Sequence, residues 1–216
     1  MTAEGSPGGP LLAGVLLAGG QSRRMGGGDK CLRLLGGETI LSRVIARARR
    51  QVAALALNAN GDPGRFAEYR LPVVPDPIGG FAGPLAGVLA GLDWAAEAMP
   101  RARYLVSFAC DAPFFPTDLA VRLLAPVARG EAELSCAASD GRSHPVFGLW
   151  PLALREPLRR ALVEEELRKV DLFTGRYRLA TVAFALGATT SGPLDPFFNA
   201  NRPEDLARAE ALLAAA

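Results

Sequence analysis

Short apolar runs alternate along the chain with segments in which apolar residues recur at helical spacing. The first run, 11–17, is apolar without an alternating or helical period, which predicts a strand buried on both faces. Similar runs predict further strands at 52–57, 71–74, 104–109, 132–138, 144–150 and 180–186. Helical spacing predicts helices at 39–50, 84–98, 118–129, 151–166 and 203–216.

This alternation of strands and helices predicts a single α/β domain with a Rossmann-like, doubly wound and mostly parallel sheet. The domain would cover residues 11–216. Residues 1–10 are rich in glycine and proline and lack the basic segment followed by an apolar one that marks a signal peptide. We therefore expect a flexible N-terminal tail at 1–10.

A glycine-rich loop follows the first predicted strand directly, and residues 18–30 read Ala-Gly-Gly-Gln-Ser-Arg-Arg-Met-Gly-Gly-Gly-Asp-Lys. Glycines let the backbone approach a ligand closely, and successive N–H groups can form a concave anion site. Arg23, Arg24 and Lys30 add positive charge, so the loop suits a triphosphate. Its order is neither the P-loop pattern nor Gly-x-Gly-x-x-Gly, and a plain flexible surface loop is the alternative.

Three predicted strands end in polar side chains, namely Asn58, Asp76 and Asp111. The carboxyl ends of parallel strands share one edge of a sheet, where ligands bind. Asp111 is the strongest catalytic candidate because Mg²⁺ prefers one or two carboxylates together with phosphate oxygens and waters. Asn58 could hydrogen-bond a base or a ribose. For Asn58 and Asp111 the alternative is a residue that only shapes a turn.

The second half of the chain adds weaker candidates. His144, the only histidine, could act as a general base, but an already anionic phosphate needs no strong base, and we favour a structural or substrate-contact role. No convincing Ser–His–Asp arrangement surrounds it, and no zinc spacing occurs. Asn199 and Asn201 could complete a metal shell or form turns.

Composition narrows the class of partner. Half of the 216 residues are hydrophobic, which is enough for the core of one α/β domain. The net charge of +2 is too small to imply a nucleic-acid partner, and no apolar stretch approaches the ~20 residues of a membrane helix. Three scattered cysteines, Cys31, Cys110 and Cys136, suit neither a disulfide framework nor a metal site and favour a reducing cytoplasm.

Segment 17–30 resembles the nucleotide-binding signature of nucleotidyltransferases related to sugar-phosphate pyrophosphorylases. Its Arg-Arg-Met-Gly-Gly-x-Asp-Lys order is most similar to the molybdenum cofactor guanylyltransferase family. Further matching motifs follow in the family's order over nearly the whole chain: Asn58-Ala-Asn60, Asp76, Gly83-Pro-Leu-Ala-Gly87, Cys110-Asp-x-Pro-Phe114, His144-Pro145, Arg168-Lys-Val170, Phe198-Asn-x-Asn201 and Pro203-Glu-Asp-Leu206.

The resemblance implies a fold of the nucleotide-diphospho-sugar transferase type and transfer of GMP from GTP to the terminal phosphate of molybdopterin, with release of pyrophosphate. It implies that GTP is bound by Leu17, Ala18, Gly19, Gly20, Arg23, Lys30, Asn58, Asp76 and Asp111. It implies catalytic roles for Asp111, Lys30 and Arg24, and Mg²⁺ on Asp111 with Asn199 or Asn201. The pterin would lie near His144, Lys169 and Asn199.

The resemblance also implies partners, namely molybdenum-cofactor insertion proteins and apo-molybdoenzymes. Two alternatives are a cytidylyltransferase or sugar-phosphate nucleotidyltransferase on the same fold, and a non-catalytic molybdopterin carrier. The chain departs from the family pattern at Phe108, Ala112 and Arg202. Arginine is a poor N-cap, so at Arg202 we expect a local cost of about 1 kcal/mol.

Overall fold

The structure, a computed structural model, describes residues 10–18, 29–79, 83–190, 192–200 and 202–214. Most of the predicted glycine loop lies outside the described residues, and so do the predictions for Gly19, Gly20, Arg23 and Arg24. The same holds for Asn201 and for residues 1–9 of the predicted tail. Predictions that concern these residues stay predictions.

Strands and helices alternate as the sequence predicts. The strands are β1 (Leu12–Leu17), β2 (Leu34–Leu35), β3 (Glu38–Thr39), β4 (Ala54–Asn58), β5 (Val73–Val74), β6 (Tyr104–Ala109), β7 (Leu134–Ser139), β8 (Arg142–Pro151), β9 (Leu179–Phe184), β10 (Gly187–Thr189) and β11 (Gly192–Leu194). The helices are α1 (Ile40–Ala48), α2 (Pro84–Ala98), α3 (Leu119–Ala128), α4 (Arg155–Val163), α5 (Val170–Thr174) and α6 (Pro203–Ala214). Short 3-10 segments lie at Lys30–Leu32, Pro63–Tyr69 and Leu152–Leu154.

Seven strands form the central sheet in the order β5-β4-β1-β6-β8-β7-β9. Only β8 runs antiparallel to its neighbours in this sheet, so the predicted mostly parallel sheet is confirmed. The chain moves from β1 outward through β4 to β5 and then returns to place β6 on the other side of β1. Such a reversal of strand order leaves a crevice at the carboxyl ends of the strands, where ligands of open α/β sheets bind.

The unbroken apolar pattern of β1 follows from burial on both faces of the sheet. Leu12 and Leu16 belong to an apolar cluster that includes residues of α1, α3 and α6. Ala13 and Val15 belong to a second cluster, with residues of α2, α4 and α5. Because successive side chains of a strand point to opposite faces, one strand contributes to both cores, and the sheet is doubly wound.

Helix α2 packs closely on the sheet because glycine faces β1. A Cβ added at Gly91 would lie 2.8 Å from Cβ of Val15, and a Cβ added at Gly87 would overlap Oδ1 of Asn58. The helix is preceded by Gly83, whose φ of 72° lies in the left-handed region that favours glycine. These glycines allow the start of α2 to reach the carboxyl ends of the strands.

The predicted helix at 151–166 is too long at both ends. Strand β8 continues to Pro151, which pairs with Tyr104, and a 3-10 segment separates it from α4. At the other end Glu166 adopts a left-handed φ of 51°, which a helix cannot continue through. The small sheets β2–β3 and β10–β11 were not predicted, because strands of two or three residues carry no periodic pattern.

Within the described ranges, none of the helices combines the length and apolar character that crossing a membrane requires.

Candidate functional site

A cavity of about 370 Å³ lies at the carboxyl ends of the central strands. Its wall is formed by the ends of β1, β4 and β6, the start of α2, the first half of β8 and the segment before α6. Seven of the predicted site residues line it: Leu17, Ala18, Lys30, Asn58, Asp111, His144 and Asn199. Two others, Asp76 and Lys169, are not part of its wall.

Asn58 ends β4 and is only 1% exposed, and its side chain is held by hydrogen bonds. Its Nδ2 donates to the carbonyl of Val74 at 3.1 Å and to Oδ1 of Asp76 at 2.9 Å. The other carboxylate oxygen of Asp76 accepts from Nδ2 of Asn60 at 2.7 Å, and the Asp76 N–H donates to Oδ1 of Asn60 at 2.8 Å. Asp76 therefore acts on the cavity through Asn58, whose amide protons are both used.

Asp111 follows β6 and faces the cavity together with Lys30. Burial raises the pKa of the Asp111 carboxyl, and the positive charge of Lys30 opposes this shift. The N–H of Ala200 donates to the carbonyl of Asp111 at 2.9 Å, which holds the neighbouring Asn199 beside it. One wall thus combines a carboxylate, an amide side chain and a nearby ammonium group.

This donor set suits a hard cation that retains waters and substrate phosphates, as Mg²⁺ does. It does not match a structural zinc site, which takes four protein ligands drawn mainly from Cys and His side chains. In the part of the chain that the structure describes, no group of three or more His, Cys, Asp or Glu side chains could hold a metal ion. A metal at Asp111 would therefore depend on the substrate for most of its ligands.

Arg65 is a site-building residue that the sequence analysis missed. Its Nε donates to Oδ2 of Asp29 at 2.5 Å, and its guanidinium also donates to the carbonyls of Asn60, at 2.6 Å, and Asp62. Its charge lies 4.5 Å above the ring of Phe66. Arg65 thus fixes the residue before Lys30 to the end of β4. Nothing in the local sequence distinguishes it from the other arginines.

Two cysteines that are far apart in the sequence meet at this cavity. Cys31 and Cys110 both line it and are buried, and all three cysteines are free thiols. A hydrogen bond from the Cys31 side chain and burial together raise the pKa of the Cys110 thiol well above its ordinary value. The Cys110 thiol is therefore a packing group rather than a reactive nucleophile at neutral pH.

His144 is held at the wall of the cavity by a hydrogen bond and a ring contact. Its Nε2 lies 2.7 Å from Oγ of Ser139, which in turn donates to Oδ1 of Asp195 at 2.7 Å. The ring of Phe197 packs on the imidazole with 4.7 Å between centroids. Burial lowers the pKa of His144, Asp195 opposes the shift, and the charge of Arg142 adds to it. Because the ordinary pKa is already below 7, the imidazole is neutral at pH 7.

The cationic side chains at the cavity differ from the prediction in two places. Lys169 is exposed and precedes α5, outside the cavity wall. Arg142, which is not among the predicted site residues, begins β8 and lines the cavity. Asp140 and Gly141 have φ angles of 46° and 71°, typical of the tight Asp-Gly hairpin turn that starts β8 earlier than predicted.

The sheet, the cavity at its strand ends and the charged groups around it define a nucleotide-binding α/β protein of the Rossmann-like class. Residues 14–177 match the family model described as the MobA-like NTP transferase domain. The chain belongs to this family.

Similar proteins are known by sequence and by structure. A protein of Bradyrhizobium sp. (strain ORS 278) named molybdenum cofactor guanylyltransferase is 57% identical over 201 residues, which cover 93% of this chain and 92% of that protein. Molybdopterin-guanine dinucleotide biosynthesis protein A from Archaeoglobus fulgidus superposes with a TM-score of 0.68 at 19% identity, covering 94% of this chain and 98% of that chain. Rv0371c from Mycobacterium tuberculosis H37Rv, in complex with manganese, gives 0.65 at 18% identity, covering 93% and 98%. The last two show a shared fold.

Proposed function

We propose that this protein is a guanylyltransferase that transfers GMP from GTP to the terminal phosphate of molybdopterin and releases pyrophosphate. The observation that carries the proposal is its high identity, over nearly its whole length, to a protein of that name. The cavity supports it, because residues that the resemblance assigns to GTP, among them Leu17, Lys30 and Asp111, meet there.

The nucleotide would occupy the part of the cavity lined by the ends of β1 and β4 and by the start of α2. A helix N-terminus carries partial positive charge and free N–H groups, which favours phosphate near Pro84. The ammonium of Lys30 adds a full charge. Arg23, Arg24 and the N–H groups of the glycine loop would add further contacts to the phosphates, and these remain predictions.

In the reaction, an oxygen of the acceptor phosphate forms a bond to the α-phosphorus of GTP, and the bond from this phosphorus to the bridging oxygen of pyrophosphate breaks. Such transfers depend on positioning and on the neutralisation of developing charge. Lys30 is suited to stabilise the leaving pyrophosphate. Arg24, the other predicted catalytic cation, would stabilise the negative charge of the same pyrophosphate.

We further propose that Asp111 and Asn199 hold Mg²⁺ when substrate is bound, with Asn201 as a further ligand. The ion would neutralise charge on the phosphate oxygens. The carboxylate-plus-amide donor set supports this, and so does the manganese bound by a protein of the same fold. The product would pass to insertion proteins and apo-molybdoenzymes. A reducing cytoplasm is the proposed compartment, and the three free thiols support it.

A thermal-shift titration with GTP, CTP, ATP and UTP, each with and without Mg²⁺, tests the nucleotide specificity. A ligand that binds the native state raises its apparent stability, so GTP with Mg²⁺ should give the largest shift. Release of pyrophosphate that requires both GTP and molybdopterin would then establish the transfer. A shift selective for CTP would point to a cytidylyltransferase, and pterin binding without nucleotide turnover would point to a carrier.

A further inference from the structure

A hydrogen-bonded chain links Asp195 and Ser139 to His144, which lines the cavity on its β8 side. The three residues come from the segment before α6, the end of β7 and the start of β8. The order differs from a catalytic triad, because the serine lies between the other two and cannot be activated by the histidine. The role of the arrangement therefore depends on which atom donates each hydrogen bond.

The single proton of the Ser139 hydroxyl decides which nitrogen of His144 is protonated. Oδ1 of Asp195 can only accept, so the hydroxyl proton of Ser139 is donated to it. The serine oxygen must then accept a hydrogen bond from Nε2 of His144. Nε2 carries a proton in every charge state of the imidazole. In the neutral ring the lone pair lies on Nδ1.

Nδ1 is also the nitrogen of His144 that is left for a ligand. Nε2 is used by Ser139, and the ring of Phe197 packs against the imidazole, while the residue lines the cavity. Within the described residues, the side-chain hydrogen bond of the imidazole is the one between Nε2 and Ser139. The N–H of Phe197 donates to Oδ1 of Asp195 at 2.9 Å, which fixes the carboxylate at the far end of the chain.

We propose that Ser139 and Asp195 are positioning residues that hold His144 as the Nε2–H tautomer, so that Nδ1 accepts a hydrogen bond from the acceptor substrate. The assignment of the ligand rests on the proposed function, whereas the tautomer does not. The group recognised is an N–H or O–H donor. It is either a ring N–H of the pterin or the hydroxyl of a singly ionised phosphate.

The tautomer can be measured directly because His144 is the only histidine in the chain. Untagged protein labelled with ¹⁵N-histidine gives ring signals from one imidazole in a long-range ¹H–¹⁵N correlation spectrum. We expect Nε2 at a position typical of a protonated ring nitrogen and Nδ1 at a position typical of an unprotonated one. The opposite assignment in the neutral ring overturns the proposal, whether or not the protein transfers GMP.

Variants test the roles of Ser139 and Asp195. In Asp195→Ala the serine proton becomes available to Nε2, so the Nδ1–H tautomer should gain population. Ser139→Ala removes the fixed acceptor, and Ser139→Thr should restore it. Ser135→Ala is the matched control, since Ser135 lies on the same strand and bonds instead to the carbonyl of Leu123. An unchanged tautomer in Asp195→Ala and Ser139→Ala would exclude the positioning role.

Kinetics test the contact with the acceptor. Loss of one hydrogen bond predicts a loss of about tenfold in kcat/KM for the acceptor in Ser139→Ala, with the GTP-induced thermal shift unchanged. Ser135→Ala and Ser139→Thr should stay near wild type. If the donor is a phosphate hydroxyl, the defect disappears above the second phosphate pKa of about 6, and if it is a ring N–H, the defect persists to pH 8. Wild-type kcat/KM for Ser139→Ala at every pH would overturn the contact.

Discussion

Single side chains in this cavity differ in what they contribute to stability and to chemistry. Asp111 is the clearest case. Burial raises the pKa of its carboxyl above the value in the unfolded chain, so the charged form is disfavoured in the folded state. Folding therefore becomes less favourable as pH rises from the unfolded pKa through the folded pKa, and this cost is fully present above the folded pKa.

We predict that Asp111→Asn removes this cost while it abolishes metal binding and turnover. At pH 7 the variant should melt at or above the temperature of the wild type, and the difference should shrink when both are measured at pH 4. Thermal melts at the two pH values and a pyrophosphate-release assay test this. A marked fall in Tm, or wild-type turnover, would be incompatible with the role assigned to Asp111.

The two lysines of the chain make a second comparison at this scale, because only Lys30 lines the cavity. Lys30→Ala should weaken GTP binding by tenfold or more, since a charge close to phosphate is lost. Lys169→Ala should leave GTP affinity unchanged and, if the predicted pterin contact exists, raise the acceptor KM. Isothermal titration with GTP separates the two. Equal GTP affinity in both variants would reduce Lys30 to a scaffold residue.

Strands and helices could be predicted where a continuous stretch of sequence carries their pattern of apolar residues. The run at β1 identified a strand because both faces of the sheet are covered. Helix α6 begins at Pro203 despite the unfavourable Arg202, because Oδ2 of Asp205 accepts the Arg202 N–H at 2.8 Å. The cost expected at Arg202 took account only of the arginine side chain, which is a poor N-cap, and not of this bond to its backbone N–H. Three arrangements were not predicted: the hydrogen bonds from Asp195 through Ser139 to His144, the bonds of Arg65, and the contact between Cys31 and Cys110. Each of them joins segments that are far apart in the sequence.

Helix α2 offers a prediction for an element as a whole, with two glycines one turn apart on the same face. Gly91→Ala should lower stability by about 1–2 kcal/mol, or roughly 2–8 °C in Tm, because Val15 has no free space to move. Gly87→Ala should lower Tm and also weaken GTP binding, because the new Cβ displaces Asn58 from Asp76. Melting curves and GTP titrations of both variants test this. A GTP defect in Gly91→Ala as severe as in Gly87→Ala would contradict it.

At the scale of the molecule, both apolar clusters share the strands of one sheet, so neither core can open without disturbing the other. We predict a single cooperative unfolding transition. Trp150 is buried in one cluster and Trp94 packs against the same cluster, so tryptophan fluorescence reports on that side, whereas far-ultraviolet circular dichroism reports on the whole sheet. The two midpoints should coincide in urea. Separate midpoints would indicate that the clusters unfold independently.

The paired thiols have a consequence for how inhibition of this protein should be interpreted. Cys31 follows Lys30 directly and Cys110 precedes Asp111 directly, so the hydrogen bond between the two thiols joins the segments that carry these two charges. A bulky group attached to either sulfur would push the charges apart. Inactivation by a thiol reagent would therefore show that the site is sensitive to this displacement. It would not prove that a cysteine is catalytic.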